Sequence, residues 1–187
     1  MPHGSTRRTW PEASVSDVIV ATAADVCELW LARCRDALAA CPESEPITAS
    51  YVAAGAVAWD SCCGVLVAAP ERVYRSGQFP IEGTTDYVCE DALLVVDVVV
   101  LLLRCVPVLD DRGNAPTPQA MNDAYVKVMN DAAIIWNVVT DDMPEGWERA
   151  NVGQQFVGAQ GGCIGVETRL SVGLAQQDWC PCGELEP

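Results

Sequence analysis

The sequence predicts an α+β domain with elements in the order αββαββ: a mainly antiparallel sheet of about four strands packed by two helices. Three observations predict it. Two long stretches repeat apolar residues at the helical period, one stretch between them is apolar at every second position on both faces, and the last stretch alternates cleanly around a double glycine.

The first helix is expected from Ser16, or a neighbour acting as cap, to about Cys41, where Pro42 follows its end. At 100° per residue Ile19, Ala23, Val26, Cys27, Trp30, Cys34, Ala37, Leu38 and Cys41 share one side, and Asp25, Glu28, Arg35 and Asp36 the other. Residues 42–50 are rich in Pro, Glu, Ser and Thr and read as a loop. A strand region is expected over Val52–Trp59 and Cys63–Ala69, extending toward Tyr74 past Pro70. Residues 76–90 are polar, hold Gly77, Pro80 and Gly83, and read as a long loop.

Leu93–Cys105 is the firmest strand, apolar on both faces from Leu93 to Leu103 except for Asp97. Such a strand is covered twice, either by helices on both faces or by helices on one and a neighbouring subunit on the other. Asp97 within it requires a partner or water. The turn residues Asp110–Asn114 end this region, and Thr117 as cap with Pro118 after it starts the second helix. Its predicted core stripe is Met121, Ala124, Tyr125, Val128, Ala132, Ile135, Trp136 and Val139, with Asp123 and Lys127 paired on the outer side beside Ile134 and Val138. Val152–Ala159 and Ile164–Leu174 are expected to form a hairpin about Gln160–Cys163, with Glu167, Arg169 and Ser171 outward. Three regions result: an arm over 1–15, a domain over 16–174 and a loose tail over 175–187.

Composition bounds the function. The 187 residues are 50% hydrophobic and 20% charged, which excludes a chain disordered throughout. Twenty-six acidic against 11 basic residues give a net charge of −15, which disfavours binding of nucleic acid through its phosphates and of anionic membranes. The N-terminus lacks the apolar run of a secretion signal, and the run Ala92–Leu103 is too short to span a bilayer and carries Asp97, so a soluble chain made in the cytosol is expected. In that compartment the ten cysteines are expected as reduced thiols serving as small apolar residues. The pairs Cys62–Cys63 and Cys180–Cys182 do not match zinc-ligand spacing, so no metal is expected.

Catalytic parts are missing from the sequence pattern. His3 is the sole histidine and lies in the arm, which leaves no oriented imidazole for a serine or cysteine nucleophile. There is no phosphate-binding glycine loop; Gly158, Gly161, Gly162 and Gly165 read as hairpin punctuation. The acidic pairs Glu90–Asp91, Asp110–Asp111 and Asp141–Asp142 fall in loops, and Lys127, the sole lysine, falls on an exposed helical face. No catalytic, cofactor-binding or metal-binding residue is assigned, and a non-enzymatic role is expected.

Three segments carry a family likeness: WDSCCGVLVAAPERVYRSGQFP (59–80), RCVPVLDDRGNAPTPQAMNDAYVKVMNDAAIIW (104–136) and VGAQGGCIGVETRLSVGL (157–174). They resemble tail terminator proteins of long-tailed (siphovirus-type) phages infecting actinobacteria. The resemblance implies a small α/β domain that assembles as a hexameric ring in the virion neck, caps the tail tube, ends its polymerisation and joins it to the head connector or stopper. It implies no cofactor and no catalytic residue. A ring of six would carry 6 × (−15) = −90 formal charges, which would repel DNA passing through its lumen. Other neck proteins, namely connectors, stoppers and tail completion proteins, are similar in size and in part in fold; a cytosolic ligand-binding or regulatory domain is the alternative outside the virion.

Overall fold

The computed structural model describes residues 15–55, 63–83, 92–141 and 143–174, of which 15–22 by backbone alone. Elements follow as α1 (Val15–Ala40), β1 (Ala49–Val52), β2 (Val65–Ser76), β3 (Leu93–Cys105), α2 (Pro118–Thr140), β4 (Trp147–Gln160) and β5 (Cys163–Leu174). The five strands form one sheet in the order β1-β2-β3-β5-β4. All neighbours are antiparallel except β1 and β2. The class is α+β as expected, with one strand more. The expected tail and residues 1–14 of the expected arm, His3 among them, lie outside the described residues, and residue 15 of the arm is already helical.

Helix α1 presents its expected face: Val26, Cys27, Trp30, Cys34 and Leu38 are buried and Asp25, Glu28, Arg35 and Asp36 exposed. It already begins at Val15, so Ser16 sits within the first turn. Thr117 caps α2 as expected, its hydroxyl accepting from the Ala120 amide at 3.2 Å with Pro118 next in the chain. The helix is rotated from the expected stripe. Val128, Asp131, Ala132, Ile135 and Val139 are buried, Ile134 and Val138 pack against the core, and Tyr125 and Trp136 are exposed. Asp131, which has no place in the expected apolar stripe, is held beneath the helix by its ion pair with Arg104. Lys127 bonds Glu45 at 2.7 Å, and Asp123 accepts from Gln119, so the expected Asp123–Lys127 pair is replaced by other partners.

Strand β1 begins earlier than expected, in the last two residues of the stretch read as loop, and runs parallel to β2. It stops at Val52, shortly before Gly55 at a φ of +96°; residues 56–62 are outside the described ones. Strand β2 does continue past Pro70, by a bulge between Pro70 and Arg72, as far as Ser76. The first half of the expected long loop folds back on it: the Ser76 hydroxyl donates to the Ile81 carbonyl at 2.6 Å and the Tyr74 hydroxyl to the Pro80 carbonyl at 2.9 Å. Strand β4 begins five residues early, because bulges at Ala150/Gly153 and Val157/Gln160, with Asn151 left-handed at φ 51°, break its alternation. Gly161 and Gly162, both at positive φ, make the two-residue turn to β5. Gly165 is no punctuation: it lies inside β5, where a Cβ would stand 2.1 Å from the Leu102 carbonyl oxygen.

Both helices cover one sheet face, over Leu66, Val96, Val98, Val100, Leu102, Val166 and Val172. On the other, Val65, Val67, Leu101, Leu103 and Cys163 cluster with Ala53 and Val157, and no described helix contributes. Among the described residues the second face of the strand is covered by no helix, and Val95, Leu101 and Leu103 on it are nevertheless buried within the chain.

Candidate interaction surface

The helix-free face carries a polar cluster built around Asp97. Its carboxylate accepts from Arg72 at 2.7 and 3.0 Å and from the Ser171 hydroxyl at 2.6 Å, and the Tyr74 hydroxyl, whose proton goes to the Pro80 carbonyl, lies 3.4 Å from it. These groups come from β2, β3 and β5, brought together because Arg72 and Ser171 are the register partners of Asp97 on either side. The partner demanded by an acid in an apolar strand is therefore present, and Ser171, expected outward, is buried against it. The carboxylate holds the Arg72 guanidinium above its ordinary pKa. Burial, and next the Asp97 charge, push the Tyr74 phenol up. Arg72 of β2 and Ser171 of β5 both donate to Asp97 of β3, so the cluster fastens three strands. A second network, Glu71–Arg169–Glu167, spans the same face at 2.6–2.8 Å.

At the end of β3 a cavity of about 320 Å³ opens between α2 and the segment after α1, lined among others by Glu45, Arg104, Pro107, Lys127 and Asp131. Arg104 forms its floor. Its Nε donates to Asp131 at 2.8 Å, and its terminal nitrogens to the Pro46 carbonyl at 3.2 Å and the Ser44 hydroxyl at 3.0 Å. Arg104 and Asp131 side chains are each 4% exposed. The exposed Lys127–Glu45 pair forms the rim, and the Lys127 hydrogen bond holds the Glu45 carboxyl below its usual range. Each charge here is matched by a neighbour, so an ionic ligand would have to displace a protein partner.

The cysteines divide. Cys27 and Cys34 are buried free thiols, as expected, and Cys41 is free and half-buried. Burial pushes the Cys27 and Cys34 thiols up to about 12. Their folded-state pKa stands above the ordinary thiol value of 9.0, so their contribution to stability is complete below pH 9 and lost as pH rises from 9 toward 12. Denaturant midpoints measured from pH 8 to 11 should fall above pH 9 and fall less in a Cys27→Ala/Cys34→Ala chain. The expectation of reduced thiols throughout is overturned at Cys63 and Cys105, which form a disulfide with Cα atoms 4.7 Å apart; Cys163, opposite Cys105 in the β3–β5 register, is disulfide-bonded too. Cys63 and Cys105 are 42 positions apart and meet because the Gly64 amide bonds the Leu103 carbonyl, a proximity invisible in linear spacing. Among the described residues no group of three or more His, Cys, Asp or Glu is placed to hold a metal ion, and no helix is long and apolar enough to cross a membrane.

What remains open is surface for other chains. Strands β1 and β4 are the sheet's two edges and differ in length, four residues against 14. From Asn151 to Gln160 β4 holds no charged residue and no proline, the usual guards of an edge strand. Phe156, 55% exposed, lies on its helix-covered side. Gln154 Nε2 ties this strand to the Ala132 carbonyl of α2 at 2.8 Å, and Arg149 caps that helix by donating to the Val139 and Asp141 carbonyls. The exposed Tyr125, Met129 and Trp136 of α2 thus border the β4 edge. Sequence periodicity missed this patch because it assigned Tyr125 and Trp136 to the core. No protein-family model matches the chain, and no curated protein matches it.

Proposed function

We propose that the chain is a structural virion protein of the phage neck, a tail terminator that closes into a ring on the end of the tail tube, stops its growth and joins it to the head connector. Two kinds of support converge. The segments 59–80, 104–136 and 157–174 resemble terminators, and among the described residues the sheet ends in two unlike edges, β1 and β4. The second observation carries the geometric part: unlike edges pair head to tail, and head-to-tail contacts close into rings when the rotation between subunits permits. The bulk of the charge, −15 per chain, keeps such subunits apart in solution and directs contact to uncharged stretches such as Asn151–Gln160.

Deleting the gene from the phage that encodes it tests the proposal. The expected particles are overlong tail tubes unattached to heads, seen by electron microscopy. Filled heads that leak DNA would instead make the chain a stopper, and tails of normal length joined to heads would remove it from the neck altogether.

A further inference from the structure

The outward face of α2 carries a second periodicity that the core does not use. Asn122, Val126, Met129, Ala133, Trp136 and Thr140 follow one another at spacings of four, three, four, three and four residues, the alternation of a helix-packing seam. Val126 is 45%, Met129 55% and Trp136 39% exposed, so the seam points into solvent. Neighbouring exposed positions Tyr125, Asn130 and Asn137 are also uncharged, and the helix's charged exposed residues, Asp123 and Lys127, lie together toward the opposite flank. An exposed helical face free of charge, holding Trp, Tyr and Met on a chain of net charge −15, has the composition of an interface centre.

Its occupant follows from the order of sizes along the seam. In an antiparallel pair of α2 helices centred on Asp131, Trp136 of one chain meets Val126 of the other, Met129 meets Ala133, and Asn122 meets Thr140. Each large side chain faces a small one, and the polar residues fall opposite each other at both ends. A parallel pair would set Trp136 on Trp136 and Ala133 on Ala133, clash beside gap. Self-complementarity of this kind defines a two-fold contact between identical chains. A differently charged partner would be selected by charge, which this face lacks. We propose that α2 docks on α2 of a second copy, antiparallel, through this seam. Two-fold contact closes at two copies, so it is distinct from the head-to-tail contacts of a ring and stands or falls independently of the terminator proposal.

Sedimentation of the full chain over a concentration series from about 1 μM to about 1 mM tests it. The mass should climb from 20.0 kDa toward twice that value, and added salt should tighten the association, because two like-charged chains are being joined through neutral surface. Met129→Glu should abolish association with the helical circular dichroism unchanged, since position 129 is exposed and glutamate is a good helix former. Met129→Glu/Ala133→Lys should restore it, because the antiparallel register sets 129 against 133 twice. Leu109→Glu, at an exposed apolar site outside the seam, should leave association intact. A wild-type chain monomeric throughout, or a Met129→Glu chain that associates like wild type, would overturn the seam. Failure of the double variant to recover would overturn its antiparallel register.

Discussion

Replacing Arg104 alone by methionine is expected to lower stability by about 3–5 kcal/mol. The magnitude comes from what is left behind. Asp131, 4% exposed, would be left buried without the guanidinium 2.8 Å away, and the Ser44 hydroxyl and Pro46 carbonyl would lose their donor. Asp131→Leu alone should cost a similar amount by stranding the guanidinium. The double variant Arg104→Met/Asp131→Leu should recover a large part of either loss, because two apolar groups of similar volume need no partner. Urea midpoints of the four chains form the cycle. Single variants each within about 1 kcal/mol of wild type would show that the pair contributes little and that water reaches it.

The second large effect is expected from the Cys63–Cys105 disulfide. A cross-link between positions 42 apart removes conformational entropy from the unfolded chain worth about 4 kcal/mol. In a chain of this size that corresponds to a loss of roughly 10 °C in melting temperature. The clean comparison is the Cys63→Ser/Cys105→Ser chain, which leaves no single thiol to exchange with Cys163. Thermal melts of wild type and double variant without reductant should differ by that amount, and the gap should close when reductant is added. Equal melting temperatures without reductant would show that the bond is not formed in solution.

Both effects act at one corner of the fold, and neither is announced by sequence pattern. Elements with strong periodicity were legible: the buried face of α1, the bounds of β3 at Leu93 and Cys105, the Thr117 cap, and the inward residues of β5. Each of these is decided by its own residues and its apolar spacing. Where a partner distant in sequence decides, pattern failed. Asp131 has no place in an apolar stripe until Arg104, 27 positions away, is set beside it, and the stripe expected without it put the exposed Tyr125 and Trp136 in the core. Lys127 pairs across 82 positions with Glu45 in place of its helical neighbour Asp123. Cys63 and Cys105 meet only through β2–β3 pairing. Strand β4 was truncated in expectation because bulges shift which residues face the core, and periodicity of two assumes that nothing shifts.

The interaction surface was legible in a weaker sense. An apolar β3 pointed toward neighbours for the wrong reason, since the chain buries both faces of that strand itself. Contact with other chains is now supported by different residues: the uncharged edge of β4 with Phe156, and the outer face of α2. A charge of −15 spread over the remaining surface makes these neutral stretches stand out, and the three-dimensional arrangement makes them adjacent.

The most direct test of a neck role is a reconstruction of the intact particle at side-chain resolution around the head–tail junction. The account predicts a closed ring of this chain between tube and connector, with residues 49–52 or 147–160 at the contacts between subunits. Particles in which the chain is absent from the junction, or in which it sits there as isolated copies with both sheet edges free, would contradict it.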